Sequence, residues 1–292
     1  MIVVITGATG TGKSRLAIEL AKLIDGEIVN ADAFQVYQEL SIATSKPTPS
    51  MMAEAPHHLF GFVPLTVDYA VATYQKDLRK AIKEILSRGK TPIIAGGTGL
   101  YIKAGLYDYD FTPNKVVDLA PYQDLADDEL YRKLQAIDPE EAKKIHPHNR
   151  VRVLRAIEIF LINGRTKTDI IASQKHEPIF ETVFFGLKKE REDLYPAVEE
   201  RVDEMFKLGL VEENKRLVTK YGSSPHAFKA IGVKELFPYF DGKISLEEAK
   251  NTIKENTRHY IKRQETFFRH QFNVVWVESA ADIVAALKGG SK

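Results

Sequence analysis

Cysteine is absent from the 292 residues, so no disulfide or thiolate metal site can form, and a reducing cytoplasm is the expected setting. Runs of eighteen or more apolar residues are also lacking, so no membrane span is expected. The opening Met1-Ile2-Val3-Val4-Ile5 is too short and too uncharged upstream for a signal peptide. Neither sign of charge is in excess: 41 Lys and Arg against 40 Asp and Glu leave a net +1. Any polyanion must therefore be met by local basic patches, not by the charge of the whole molecule. Fixed-period repeats and low-complexity runs are missing too. What is present is an ordinary globular composition, 44% hydrophobic and 28% charged, on a chain long enough for one or two domains.

Strand and helix patterns alternate through the first half. Met1–Ile5, Glu27–Asn30 and Pro92–Ala95 are short apolar runs of the kind found in buried strands. Between them, Leu16, Ala17, Leu20, Ala21 and Ile24 recur at helical spacing, as do Tyr74, Leu78, Ile82 and Ile85 before a stop near Gly89. Such alternation predicts a parallel sheet with helices on both faces. From about Asp108 to Glu177 every periodic stretch is helical, with Leu125–Ile137 and Arg150–Ile162 the clearest. Apolar runs return at Thr182–Leu187 and Val274–Val277, separated by long helical patterns around Leu194–Leu208 and Leu246–Phe268. The predicted fold is an α/β core at 1–106 and 181–292, carrying an all-helical insertion at 107–180.

Gly7-Ala8-Thr9-Gly10-Thr11-Gly12-Lys13-Ser14 matches G-x-x-x-x-G-K-[ST], directly after a strand and before a helix. Backbone N–H groups from Gly7, Thr9, Gly10, Thr11 and Gly12 onward can cradle phosphate oxygens at the helix start. Lys13 adds a point charge, and the Ser14 hydroxyl is a candidate Mg²⁺ ligand. The loop identifies phosphate binding and leaves the reaction open, because ATPases, kinases and diphosphate-using transferases share it. Asp32 follows the second strand, so it can lie at the carboxyl end of the sheet beside this loop. As a residue type it can be a base, a helix cap or a Mg²⁺ ligand. His57-His58 and His146/His148 resemble metal ligands, but no carboxylate or third histidine is spaced to complete a site, and no metal is expected there.

Four further segments resemble the tRNA dimethylallyltransferase (tRNA isopentenyltransferase) family, in that family's order. They are Asn30-Ala31-Asp32-Ala33-Phe34-Gln35-Val36-Tyr37, Ile42-Ala43-Thr44-Ser45-Lys46-Pro47, Gly96-Gly97-Thr98-Gly99-Leu100-Tyr101, and Lys262-Arg263-Gln264 with Thr266 following. Arg152 to Glu158, Arg201-Val202-Asp203-Glu204-Met205 and Ala230-Ile231-Gly232 add weaker likenesses, so nearly the whole chain is covered. The chain departs from the family pattern at Ala33, Ala43, Ala197 and Val233, where Ser, Gly, Arg and Tyr are usual. Its stretch 111–123 is also shorter than usual.

The resemblance implies transfer of a dimethylallyl group from dimethylallyl diphosphate to the N6 amine of the adenine 3′-adjacent to the tRNA anticodon. Mg²⁺ is the implied cofactor, the anticodon stem-loop the implied partner, and a monomer the expected state. An exocyclic amine is a poor nucleophile because its lone pair is delocalised into the ring. A carboxylate at Asp32 that accepts an N–H bond, and then the proton, answers that need. Thr98 is implied to reach a phosphate oxygen, although its glycine neighbours equally suit a plain turn. Arg201 is implied beside the diphosphate, where a guanidinium fork can bond two oxygens; alone it reads as a solvated arginine among Glu199, Glu200 and Asp203.

For tRNA, the resemblance implicates Asp32, Ala33, Phe34 and Gln35, with Phe34 and Tyr37 against an extruded base. Lys254, Arg258, Lys262 and Arg269 fall on one face of a long helix, and Arg152 and Arg155 pair at i, i+3 in the insertion. Such stripes supply phosphate contacts; a helix face solvated beside Glu255 and Glu265 is the other reading. With Arg263 from the Lys262-Arg263-Gln264 match, Arg152, Arg155, Arg258 and Lys262 are taken as tRNA contacts, the insertion gripping the anticodon loop. The rivals are a small-molecule or nucleotide kinase and an adenylate isopentenyltransferase acting on free AMP.

Overall fold

Val3, Val4 and Ile5 are fully buried because β1 (Ile2–Thr6) runs inside a six-stranded, all-parallel sheet. The other strands are β2 (Gly26–Asn30), β3 (His57–His58), β4 (Thr91–Ala95), β5 (Thr182–Leu187) and β6 (Val274–Val277). They lie in the order β3-β2-β4-β1-β5-β6, with Val3 opposite Ile93 on one side and Val183 on the other. A sheet covered on both faces has no solvent side, so its central strands read as continuous apolar runs. The computed structural model describes residues 1–109, 111, 117–187, 189 and 191–289; contacts divide the chain into units of 1–106 with 180–292, and 107–179.

In the first unit, α1 (Lys13–Ile24), α2 (Pro49–Glu54), α3 (Val71–Ser87) and α4 (Gly99–Leu106) precede the second unit in sequence. The second unit holds α5 (Ala120–Gln123), α6 (Asp127–Ile137), α7 (Pro139–Ala142), α8 (Arg150–Asn163) and α9 (Lys167–Ser173). The first unit then resumes with β5, α10 (Arg191–Lys207), α11 (Leu210–Tyr221), α12 (Phe237–Phe240), α13 (Leu246–Gln271), β6 and α14 (Ala280–Gly289). Leu16, Ala17, Leu20 and Ala21 of α1 pack on Val3, Ile5, Ile28, Ile93 and Phe185, with Ile283 of α14 in the same core. Helices α3 and α4 pack on each other, α3 also against β2 and β4, and the Tyr74 hydroxyl donates to Asn30 O at 2.8 Å.

The second unit has its own core of Leu130, Leu134, Ala142, Ile145, Val153, Ala156 and Ile157. Buried Asp138 ties it together, accepting from Glu141 N, Thr168 N and the Thr168 hydroxyl at 2.7–3.0 Å. Residues 112–116 of the shortened stretch lie outside the described residues.

Strand β3 was hidden in the sequence because it is two residues long. The adjacent histidines are hydrogen-bonded: His57 Nδ1 lies 2.7 Å from Ala55 O, and His58 Nε2 2.6 Å from Glu27 Oε2. No helix among the described residues is long and apolar enough to cross a membrane.

Candidate active site

Three loops leave the carboxyl ends of neighbouring parallel strands β1, β4 and β2, and together they wall a cavity of about 500 Å³ in the first unit. In open α/β sheets this edge is where ligands bind. The first loop is Gly7–Gly12, running into α1. Gly12 caps that helix at φ +96°, a left-handed conformation costly for any residue with a Cβ. No side chain caps α1 and no acidic residue lies in its first turn, so the helix start is open to an anion. Thr9, Gly10, Gly12, Lys13 and Ser14 line the cavity. The Thr11 hydroxyl instead donates to Ala8 O at 2.9 Å, stiffening the loop.

The second loop carries Asp32, which lines the cavity. Its Oδ1 accepts from Phe34 N at 2.9 Å and Gln35 N at 3.4 Å, so the carboxylate does cap its own turn. Among the described residues Oδ2 makes no hydrogen bond, which leaves one oxygen for a ligand. Burial raises the Asp32 pKa, opposed by those two N–H groups and by Lys13 and Arg201. Lys13 is driven down to about 7, first by burial and then by the Arg201 charge, with Asp32 pulling the other way. Burial lowers Arg201 as well, again opposed by Asp32. Two cations and one carboxylate therefore share a poorly solvated space in which an anion would satisfy both cations.

Arg201 faces this cavity, and two of its acidic neighbours are engaged elsewhere. Glu199 pairs with Arg258, while Asp203 pairs with Lys250 and Lys254, both at 2.8 Å. The same contacts divide the predicted basic stripe on α13 into paired and exposed positions. Lys254 and Arg258 hold α13 against α10, whereas Lys262, Arg263 and Arg269 are exposed. Arg263 also lines the cavity, its guanidinium 5.8 Å from the Tyr260 ring centre. In the second unit Arg152 is exposed, and Arg155 bonds Glu158 at 2.6 Å.

Thr98 occupies the third loop but does not line the cavity: its Oγ1 accepts from Ala33 N at 3.0 Å, bracing the Asp32 loop. Phe34 lines the cavity, while Tyr37, expected beside an acceptor base, is buried at 1% exposure. Gln35 donates to Thr44 O at 2.9 Å and so steadies the Ile42–Pro47 segment. The Glu213 carboxylate holds that segment from beneath, accepting from Ser41, Ile42 and Ala43 N at 3.0–3.2 Å.

Tyr260 and Gln264, not singled out as site residues from the sequence, belong to the same structure. Tyr260 lines the cavity, and burial raises its pKa to about 12. Gln264 lies on the buried stripe Ile253, Thr257, Ile261, Gln264, Phe268, a spacing of four, four, three and four that reads as an inward helix face. A polar residue on that stripe was the available signal.

For Mg²⁺ the donor set fits a shared site, not a protein cage. No group of three or more His, Cys, Asp or Glu side chains able to hold a metal is found among the described residues. Ser14 is exposed at the cavity. It would hold the ion together with diphosphate oxygens and water, the usual arrangement for Mg²⁺.

The fold and this cavity define a P-loop α/β protein arranged to hold a phosphate ester beside a carboxylate. Residues 35–271 match the family model described as IPP transferase, and residues 1–59 match that described as isopentenyl transferase. The chain belongs to the IPP transferase family. It is 43% identical over 285 residues to the tRNA dimethylallyltransferase of Anoxybacillus flavithermus, covering 97% of this chain and 92% of that one. The crystal structure of tRNA delta(2)-isopentenylpyrophosphate transferase from Staphylococcus epidermidis is similar at TM-score 0.74 and 36% identity, covering 99% of both chains. A eukaryotic dimethylallyltransferase solved acting on tRNA matches at TM-score 0.82 and 29% identity, over 99% of this chain and 77% of that one.

Proposed function

We propose that this enzyme transfers the dimethylallyl group of dimethylallyl diphosphate to the N6 amine of the adenine 3′-adjacent to the anticodon in tRNA. The observation that carries the reading is the shared cavity of Lys13, Arg201 and Asp32, with cations for a leaving diphosphate and a free carboxylate oxygen for an amine. The allylic C–O bond breaks with its electron pair passing to diphosphate oxygen, and the amine lone pair forms the new C–N bond. Asp32 accepts one N–H hydrogen bond and takes that proton. Lys13, Arg201 and the N–H groups at the start of α1 stabilise charge developing on the diphosphate. Ser14, with diphosphate oxygens, would hold a Mg²⁺ ion, which when bound would supply further charge neutralisation. Thr98 serves by bracing the Asp32 loop. A tRNA acceptor is consistent with a cytoplasmic enzyme.

The test is to incubate the protein with labelled dimethylallyl diphosphate and Mg²⁺, offering bulk tRNA in one reaction and AMP in another. Label should appear in tRNA and not in AMP. Label in AMP alone identifies an adenylate isopentenyltransferase. Calorimetry showing tight ATP binding, no effect of the prenyl diphosphate and no labelled product identifies a kinase.

The split of the α13 stripe gives a second expected outcome. Lys262→Ala combined with Arg263→Ala should weaken tRNA binding and flatten the plot of log affinity against log salt by roughly 1.4–1.8, two phosphate contacts' worth. Affinity for the donor should hold in Lys262→Ala alone, since Arg263 and not Lys262 lines the cavity. Arg258→Ala should leave that slope alone and lower the melting temperature, because it frees Glu199 from the α10–α13 contact. An unchanged slope in the double variant reduces Lys262 and Arg263 to a solvated face.

A further inference from the structure

Gln264 is a full amide at 4% exposure on the inward face of a 26-residue helix. Burying an amide without partners costs on the order of 1–3 kcal/mol by mutational measures. Both of its polar atoms are paired, and with two different loops. Oε1 accepts from Thr9 N of the P-loop at 2.9 Å, and Nε2 donates to Gly97 O of the third loop at 2.9 Å. Gly97 has to be glycine for this contact, since a Cβ there would sit 2.2 Å from Nε2. One residue further on, the Thr98 hydroxyl accepts from Ala33 N, next to Asp32. Two hydrogen bonds of Gln264, the Gly97–Thr98 backbone and the Thr98 hydroxyl thus connect the diphosphate loop to the loop bearing the carboxylate. Gln264 therefore ties the P-loop to the third loop, and Thr98 of that loop ties it in turn to the Asp32 loop.

We infer that Gln264 is a positioning residue for group transfer. It sets the separation of the P-loop from the Asp32 loop, and it governs the rate of transfer more than the affinity for either substrate. The inference rests on the function proposed above. Two reactants held in register by a rigid frame lose rate steeply when the frame shifts, with a misplacement of about 1 Å costing up to about 10²-fold. Neither substrate needs the frame in order to bind its own loop.

The test compares wild type with two variants. Gln264→Met keeps length and volume and removes both hydrogen bonds. Its kcat should fall by about 10–10²-fold while KM for donor and tRNA stays within about threefold, the signature of an interaction made in the transition state. Thr9 N–H, bonded to Gln264 Oε1 in wild type, should exchange faster in this variant than in wild type.

Gln264→Glu carries a carboxyl in place of the amide. Protonated, it offers one acceptor and one O–H donor and can restore both bonds; ionised, it presents only acceptors to the Gly97 carbonyl. The ratio of its rate to that of wild type, taken pH by pH, should therefore climb as pH falls, while the Gln264→Met ratio stays flat. The titratable and charged groups facing this region are Tyr260 and Arg263 on the same helix, Lys13 on α1, Asp32 after β2 and Arg201 on α10. All five are present in the three proteins, so their own titration largely cancels in the ratio. Should Gln264→Met fail to fold, the Gln264→Glu profile still decides. A Gln264→Met kcat within twofold of wild type, a loss confined to KM, or a pH-independent Gln264→Glu ratio overturns the positioning role alone. A wild-type protein that transfers no prenyl group overturns the functional reading itself.

Discussion

Asp32→Asn should lower the single-turnover rate of prenyl transfer by about 10²–10⁴, the usual range for loss of a general base. The substitution is informative because of how Asp32 is held. Oδ1 accepts from Phe34 N and Gln35 N, and an asparagine carbonyl can keep both bonds, so the turn survives. What changes is the second position. A carboxylate oxygen that could accept from an amine N–H is replaced by an amide NH₂, which donates and carries no charge. Affinity for dimethylallyl diphosphate should hold or tighten slightly, since a negative charge near the phosphate site is gone. Wild-type rate should also fall as pH drops through the Asp32 pKa, which burial sets above the ordinary carboxylate range, because the protonated acid can no longer take the amine proton. If Asp32 served as a Mg²⁺ ligand instead, donor binding would weaken and excess Mg²⁺ would restore part of the rate. A near-normal rate leaves Asp32 with its capping bonds alone.

The central strands were legible from sequence because burial on both faces removes the polar alternation that blurs a half-exposed strand. Thr182–Leu187 and Val274–Val277 are strands over those same residues, and the P-loop stands where strand and helix patterns required it. Strand β3 was not legible, as two residues carry no periodicity. Side-chain partners across helices were harder to read. Lys254 and Arg258 present the same spacing whether they face RNA or another helix. Only knowledge that α10 lies alongside reveals that Asp203 and Glu199, also four apart, meet them in reverse order. Tyr37 sits one turn beyond the Asp32 loop and was assigned to a base, but Lys46 donates to its carbonyl at 2.5 Å, and its ring is buried. Gln264 illustrates the opposite case. Its motif pointed towards the tRNA-facing side of α13, while the apolar spacing around it pointed inward, and the packing followed the spacing.

Lys13 should dominate donor binding and give it a distinctive pH dependence. In the free protein its ammonium donates to Ala8 O at 2.6 Å, yet burial and the Arg201 charge bring its pKa down to about 7. A diphosphate entering the P-loop places negative charge against Nζ and raises that pKa. Below about pH 7 the lysine is already charged, so binding needs no proton from solution. Above pH 7 binding must first recharge it, and donor affinity should fall by up to about tenfold per pH unit, a cost of about 1.36 kcal/mol each. Calorimetry near pH 8 at fixed Mg²⁺, repeated in buffers of different ionisation enthalpy, should register uptake of up to about one proton per donor bound. Lys13→Ala should weaken donor binding and slow transfer by about 10²–10³-fold, the effect of deleting one preorganised donor to developing anionic charge. It should also abolish both the proton uptake and the affinity loss above pH 7. Donor affinity that stays level across this range in wild type, with no buffer-dependent heat, would show that Lys13 stays fully charged beside Arg201 in the empty site.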